Sequence, residues 1–530
     1  MLRSLLSLLL AAGLSVFAST PASAREFTAL SYNVENLFDL DGKANYDEYQ
    51  PDKYTPEHLR TKVENIARIL AKTSNGAGPD IAIFNEIEID QTPSNQPFDQ
   101  AAWLESVRGK SLSELLSQKP LPAELADLPA YAWLLKACED AGLTGYHVIP
   151  ANEAPGHYID ERPRTVQNVI FSRFPVLSSK SHPTPGARNI LEARLDIDGH
   201  PLNVFANHWK SGASDSGSEK VRVANAETLR ARIDALLAKD PLADILIAGD
   251  FNSHYNQNQR YPELPTTGII DVLGSQGNEL SLRTGKRDLY NLWFELPTRE
   301  RGSDIYRDEW GTLMHMLVTR GLYDNSGLQY IDNSFRVHRV NGVNSDVFGR
   351  PFRWSRGSRP GGFSDHFPIL ARFRVAPADA KNQWMTLKNP STSEQGTARP
   401  VRLISSVDLF RNAIDPSKEP TDADFRDGTY DGRVFFIKAP ATVNKRGWVS
   451  ITLNGQEYDV FTHDSELRKR IRDRAKSDSE LQFYGTLGTF RGRWQFVLYG
   501  SEWLAEKPSS SLTSNQSSRI ARASLPNPAL

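Results

Sequence analysis

Cysteine is all but missing from this 530-residue sequence, where Cys138 stands alone. That excludes an intramolecular disulfide and any cysteine-built zinc or iron–sulfur site. Net charge is nearly absent too: 62 Lys and Arg face 64 Asp and Glu, a formal −2. So balanced a chain has no global basic field for coating nucleic acid, and only local patches remain for that purpose. No apolar run after the first two dozen residues approaches membrane-spanning length, and no internal repeat is present. What is there, 39% hydrophobic and 10% aromatic residues, suffices for a real core and excludes a wholly disordered chain. The length exceeds one ordinary domain of roughly 100–200 residues and predicts two folded units, one of them large.

Residues 1–24 read as a signal peptide. Arg3 gives a charged start, Leu5 to Phe17 an apolar run, and Ala22-Ser23-Ala24 a small-residue cleavage site. The run is too short to span a bilayer comfortably. Cleavage after Ala24 predicts a periplasmic or secreted protein with no integral membrane segment, and loss of Arg3 takes the formal charge from −2 to −3.

Alternation predicts strands over Phe27–Val34, Ile81–Phe84, Val166–Phe171, Leu191–Ile197, Leu202–Asn207, Asp244–Ala248, Met314–Thr319 and Phe367–Val375. Helices are predicted from the Thr55-Pro56 start, with Leu59, Val63, Ile66, Ile69 and Leu70 on one face, and over Ala224–Lys239. Polar, proline-interrupted 91–130 reads as a helical surface insertion. Residues 25–376 thus form one α/β domain, and 377–426 a linker with one helix around Val407–Ile414. From 427 to 505, strands over Tyr430–Lys438, Trp448–Asn454 and Glu457–Thr462, a helix over Glu466–Lys476, and strands over Leu481–Leu487 and Trp494–Tyr499 follow the order of an OB-fold barrel. Asn454-Gly455 is a hairpin signal. The Ser-rich tail, residues 506–530, reads as disordered.

Five segments put a polar or acidic group where an apolar strand ends: LSYNVENLFD (30–39), DIAIFNEIE (80–88), VFANHWKS (204–211), DILIAGDFNSH (244–254) and GFSDHFPIL (362–370). Strand ends at one rim of a sheet are where α/β proteins assemble sites from distant sequence. Singly, Asn33 reads as a turn residue, Glu86 as a solvated strand end and His208 as a core histidine. Together, in this order, they resemble the endonuclease/exonuclease/phosphatase superfamily. With GDFNSH, the later SDH, NHWKS and NVENLF, the set looks closest to its bacterial exported branch.

The resemblance implies two mixed β-sheets packed face to face, helices outside, and an active site at one rim. Hydrolysing a phosphodiester brings water onto a phosphorus shielded by negative oxygens and expels an alkoxide, which asks for a hard cation on carboxylates and for amides and imidazoles on the oxyanions. By resemblance, Glu86 is the principal ligand of Mg²⁺ or Mn²⁺, with Asp365 and a weaker Glu35. Asp250 orients or deprotonates the water. Asn252 and Asn33 hold phosphate oxygens or position Asp250. His366 polarises the scissile phosphate or acts as base, and His208 binds phosphoryl oxygens or assists the leaving group. Arg164, Lys210 and Ser211 are candidate phosphate contacts, and His254 is a neighbour.

One position departs from the family pattern. In TLMHMLV (312–318), Met314 stands where the family carries an Asp that orients the catalytic histidine. Methionine offers no strong acceptor, so reduced activity, a substitute acceptor or degeneration into a binding protein all stay open. If the strand end is wet, Met314→Asp is expected to raise turnover.

The OB-like segment carries Arg468, Lys469, Arg470, Arg472, Arg474 and Lys476 on one helix, and Tyr458, Phe483, Tyr484, Phe490 and Trp494 on its strands. These read either as a basic and aromatic surface for single strands or as a solvated helix face and barrel core. The expected function is exported, metal-dependent phosphodiester hydrolysis of DNA or RNA. The alternatives are a phospholipid or sphingomyelin phosphodiesterase and a catalytically weakened nucleic-acid-binding protein. Lipid-acting relatives often present an exposed aromatic hairpin, whereas residues 299–310 are mostly charged.

Overall fold

Phe27 and Ala29 pack on one side of the first strand while Leu30, Tyr32 and Val34 pack on the other. A strand apolar on both faces must lie between two layers, and the computed structural model shows those layers. It describes residues 25–505 except 93–97, 159–160, 286–287, 307–308, 347–348, 357–359, 378–380, 392–409, 411–412, 420–424, 427–432 and 491. The expected signal peptide and tail lie outside the described residues.

One sheet is built from β1 (Glu26–Leu37), β2 (Ile81–Glu88), β3 (His147–Pro150), β4 (Val166–Ser172), β13 (Leu328–Tyr330), β14 (Arg336–Val337) and β17 (Ile369–Val375). Its order is β13-β17-β1-β2-β4-β3, with β14 also on β17. The second holds β5 (Val176–His182), β6 (Ile190–Ile197), β7 (His200–His208), β8 (Ile245–Asp250), β12 (Met314–Thr319) and β9 (Leu289–Asn291), in that order. β1 with β2 and β7 with β8 are the parallel pairs, one at the middle of each sheet. Between the sheets lie Phe27, Ile83, Ile170, Val204, Leu246 and Met316. Helices α1 (Pro56–Leu70) and α5 (Ala130–Asp140) cover the outer face of the first sheet. Helix α6 (Ser216–Leu237) covers that of the second. The α/β sandwich flanked by helices is the fold expected.

Local signals worked where they were strong. Thr55 and His58 form a capping box and Pro56 opens α1. Helix α6 starts at Ser216, eight residues before the expected Ala224, because Asp215 caps the amide of Ser218. The 91–130 stretch is helical over α2 (Gln100–Ser106), α3 (Leu112–Leu116) and α4 (Ala123–Ala126), but it is more than a surface insertion. Trp103, Leu112, Leu115 and Leu116 are buried in the cluster that holds α1 and α5.

Two readings of the linker are corrected. Residues 381–391 are strapped to the sandwich: Met385 N donates to Tyr323 O at 3.0 Å and Lys388 N to Asp332 Oδ2 at 2.7 Å. Farther on, Ile414 and Phe425 are buried in the core of the following sheet, so that unit begins before 427. Most of the expected 407–414 helix lies outside the described residues.

The last sheet holds β18 (Val434–Ala439), β19 (Ala441–Val443), β20 (Val449–Leu453), β21 (Gln456–Phe461), β22 (Leu481–Phe490) and β23 (Arg493–Val497). Its order is β18-β22-β23-β21-β20-β19. Only Pro440 separates β18 from β19, so one bent strand supplies both ends of the sheet, which curls as a half-barrel. Asn454 and Gly455 have φ of 48° and 74°, the left-handed pair a tight hairpin needs. Helix α9 (Ser465–Ser477) buries Leu467, Ile471 and Ala475. Tyr458 and Phe483 are core residues here, the barrel-core alternative rather than the stacking one. Phe490 is exposed, as are Trp448 and Tyr499. Arg468 and Arg472 donate to the carbonyls of Thr462 and Gly447, so part of the basic run braces the fold.

Candidate catalytic rim

Strand parity builds the site. On β1 the inward positions are 27, 29, 31 and 33; on β2 they are 81, 83 and 85; on β4 168 and 170; on β7 204, 206 and 208; on β8 246, 248 and 250. The apolar members make the core and the last polar ones emerge at one rim. Asn33, Asn85, Asn168, His208 and Asp250 therefore converge from five different stretches of sequence. Glu86 is out of phase by parity. The β2 register shifts between Phe84 and Ile87, and Glu86 itself has φ of 65°. This bulge turns its carboxylate back to the rim.

Asn33 Nδ2 donates to Glu86 Oε1 at 2.9 Å and to Asp250 Oδ2 at 3.0 Å, joining the two sheets. Asp250 Oδ1 accepts from Asn252 N at 2.8 Å, and Asp250 N donates to Asn85 Oδ1 at 3.0 Å. Asn85 Nδ2 in turn donates to Asn168 Oδ1 at 2.7 Å and Asn207 O at 2.9 Å. His208 Nε2 lies 3.8 Å from Glu86 Oε1 and 3.9 Å from Asp250 Oδ2. His366 Nε2 lies 3.7 Å from Asp250 Oδ2 and 3.7 Å from Asp365 Oδ1. Asp250 is thus flanked by both imidazoles, and Glu86, His208 and Asp250 offer ligand atoms within 4.8 Å of one another. These donors suit a hard divalent cation.

The two histidines differ in charge. Burial lowers His208, and Arg188 and His366 lower it further. Burial would also lower His366, but Asp365, Asp250, Asp304 and Glu86 outweigh it and lift it to about 9. At neutral pH His208 is neutral and His366 a cation. Burial also pushes Asp365 upward, aided by Glu35 and Glu86 and opposed by His366.

Glu35 is committed elsewhere. Its Oε1 accepts from Arg353 Nη2 at 2.8 Å, and its Oε2 from Trp354 N at 2.9 Å. Arg353 Nη2 also reaches Asp365 Oδ2 at 3.5 Å, so a guanidinium bridges two of the three expected metal ligands. Arg164 sits to the side, 3.8 Å from Glu153 Oε2 and over the Tyr158 ring. Half-buried Lys210 and exposed Ser211 lead into Gly212–Ser214, one wall of a cavity of about 290 Å³ shared with Asn252, Tyr261, Tyr306, Asp365 and His366. His254 Nδ1 accepts from Thr312 N at 3.1 Å and also lines this cavity.

Sequence reasoning missed Asn85, Arg188, Arg353 and Asp304. Asp304 opens the short strand β10 (Asp304–Tyr306), paired with β11 (Glu309–Gly311). It forms a β-bridge with His366, and its Oδ1 accepts from Leu313 N at 3.0 Å. No local pattern marks it, because its partner lies 62 residues away (366 against 304).

Residues 163–374 match the model described as the Endonuclease/Exonuclease/phosphatase family. The matched stretch carries His208, Asp250, Asn252, Asp365 and His366. Among solved structures, truncated TDP2 of Caenorhabditis elegans is 13% identical, with 66% of this chain covering 97% of that one at a TM-score of 0.35. An endonuclease/exonuclease/phosphatase family protein of Bacteroides thetaiotaomicron is 14% identical, with 68% and 99% covered and a TM-score of 0.37. Beta toxin of Staphylococcus aureus is 14% identical, with 65% and 99% covered and a TM-score of 0.34. No curated protein matches.

Proposed function

We propose that this chain is an exported, divalent-metal-dependent phosphodiesterase whose substrate is nucleic acid. The observation that carries the reading is Asp250, held by Asn33 and the Asn252 amide between a neutral His208 and a cationic His366. Glu86 and Asp365 would hold Mg²⁺ or Mn²⁺, with Asp250 and His208 at its edge. Bound there, the cation supplies charge neutralisation and a more acidic water. The chain does the rest. Asp250 accepts the water's proton, its carboxylate aimed by Asn33. His366, already protonated, donates to a phosphoryl oxygen as negative charge builds there. Neutral His208 and the amide of Asn252 orient the remaining oxygens.

Nucleic acid is favoured by the last sheet, which we read as OB-like, with Phe490 and Trp448 exposed on the unit that carries basic α9. Export rests on the first 24 residues, and the mass of the mature protein, expected to begin at Arg25, checks it. The site is tested by incubating plasmid DNA, RNA and sphingomyelin vesicles with the protein in Mg²⁺, Mn²⁺ or EDTA. Wild type should cleave nucleic acid with metal only, and Glu86→Gln should lose roughly a thousandfold or more. Cleavage of sphingomyelin alone, or undiminished turnover in EDTA, overturns the reading.

A further inference from the structure

Far along the same sandwich a second set of carboxylates converges. Glu279 precedes the short helix α8 (Ser281–Thr284), Glu295 lies in a 3₁₀ turn after β9, and Asp332 follows β13. Each offers an oxygen within 4.8 Å of the others. All the ligands are oxygens, and calcium accepts an irregular all-oxygen protein cage more readily than magnesium, which keeps most of its waters. Glu279 is 1% exposed. Its two oxygens accept from Tyr323 Oη at 2.8 Å and Ser391 N at 3.1 Å. Tyr330 Oη donates to Glu295 Oε2, and Lys388 N to Asp332 Oδ2 at 2.7 Å.

The remaining oxygens are the anomaly. Glu295 Oε1 and Asp332 Oδ1 are shut off from solvent and have no hydrogen-bond partner. No ion pair joins Glu279, Glu295 or Asp332 to a Lys or Arg among the described residues. Two orphaned carboxylate oxygens beside a third carboxylate call for a positive charge. Burial and mutual repulsion push Glu279 and Glu295 upward, so the charge is either a proton or a cation. Three separate segments bringing oxygen ligands in hydrogen-bonded, oriented geometry favour the cation.

We infer that Glu279, Glu295 and Asp332 form a Ca²⁺ site, separate from the catalytic rim. Two of the groups that orient it, Ser391 and Lys388, belong to the strap that precedes the last sheet in sequence. Ca²⁺ there fastens the strap to the sandwich, tying strands β9 and β13 to the point where the chain leaves.

The test uses the full chain, stripped with EDTA and dialysed against metal-free buffer. Calcium content per protein is measured by mass spectrometry of the metal, and Tm is followed with Ca²⁺ or Mg²⁺ added. Glu86→Ala, which disables the catalytic rim, should keep one Ca²⁺ and a Tm that rises by several degrees in millimolar Ca²⁺ but less in Mg²⁺. Glu295→Gln and Asp332→Asn should each lose that ion and that response. Equal calcium content in Glu86→Ala and in either folded cluster variant overturns the site. So does a stripped protein whose Tm ignores Ca²⁺ and rises only on acidification, which identifies a shared proton instead.

Discussion

Met314 pairs directly with Asp250 across the antiparallel β8–β12 ladder, and both side chains fall on the inward face. The methionine therefore does stand in the row that the rest of the rim occupies, at the place where an acid was expected. It is fully buried, in the same apolar cluster as Met316 and Val318. The strand end is dry, and the expectation that Met314→Asp raises turnover fails on its own condition. A carboxylate there meets Asp250 with no cation of its own. We expect Met314→Asp to lower stability by several kcal/mol with no gain in turnover. Melting temperature and turnover on one preparation check this, and a stable, faster variant refutes it.

Asp304 offers the substitute charge. It is buried, is bridged to His366 through the backbone, and is among the carboxylates that keep His366 protonated. Asp304→Asn should cut kcat on a small diester about tenfold or more while leaving KM nearly unchanged. A KM effect alone would place Asp304 in substrate binding.

Among the described residues, Asn33 is the one side chain that donates to carboxylates of both sheets of the sandwich. Asn33→Ala removes both bonds and lets Glu86 and Asp250 drift apart. Loss of about 10- to 100-fold in activity or metal affinity is expected. Metal titration together with turnover separates the two, and full activity would show that the bulge at Glu86 holds the geometry unaided.

Phe490 is 61% exposed at the end of a strand of the last sheet, and Trp448, just before β20, is 49% exposed. Replacing both with alanine should weaken binding of a single-stranded oligonucleotide by roughly 1–3 kcal/mol per lost stacking contact, with unchanged hydrolysis of a small diester. Unaltered affinity assigns this surface some other role.

Burial lifts Asp244 to about 8, with Asp324 and Asp240 adding to it and the bond from Leu328 N opposing. The folded state then keeps a proton that the unfolded chain releases near pH 4. Stability contributed by this proton is present below about pH 4 and lost as pH rises toward 8, by up to roughly 1.4 kcal/mol per unit. Asp244→Asn should flatten the fall of Tm between pH 5 and 8. Parallel profiles for the two proteins locate the pH dependence elsewhere.

What the sequence shows and hides follows from distance along the chain. Asn33, His208, Asp250 and His366 are visible because each ends an apolar strand, and strand periodicity is local. Glu86 is visible as a residue, but its bulge is not, since a shift in register needs the partner strand. Arg353 and Asp304 are invisible, as they act on Glu35 and His366 from 318 and 62 residues away. Strands of two or three residues such as β14 and β10 are too short for any period to register. The aromatics of the half-barrel show the opposite failure. Alternation marks Tyr458, Phe483 and Phe490 alike, and only the curl of the sheet decides that the first two face inward.

Glu35, Asn36, Glu86 and Asn252 all have φ between 48° and 65°, a backbone region that costs a non-glycine residue of order 1 kcal/mol or more. Glycine would suit all four positions better, yet none has it. The rim is thus a place where the easiest gain in thermal robustness and the retention of chemistry pull in opposite directions. Screening this protein for heat resistance alone should enrich glycine at Asn36 or Asn252 and return hardier variants with a less firmly held rim.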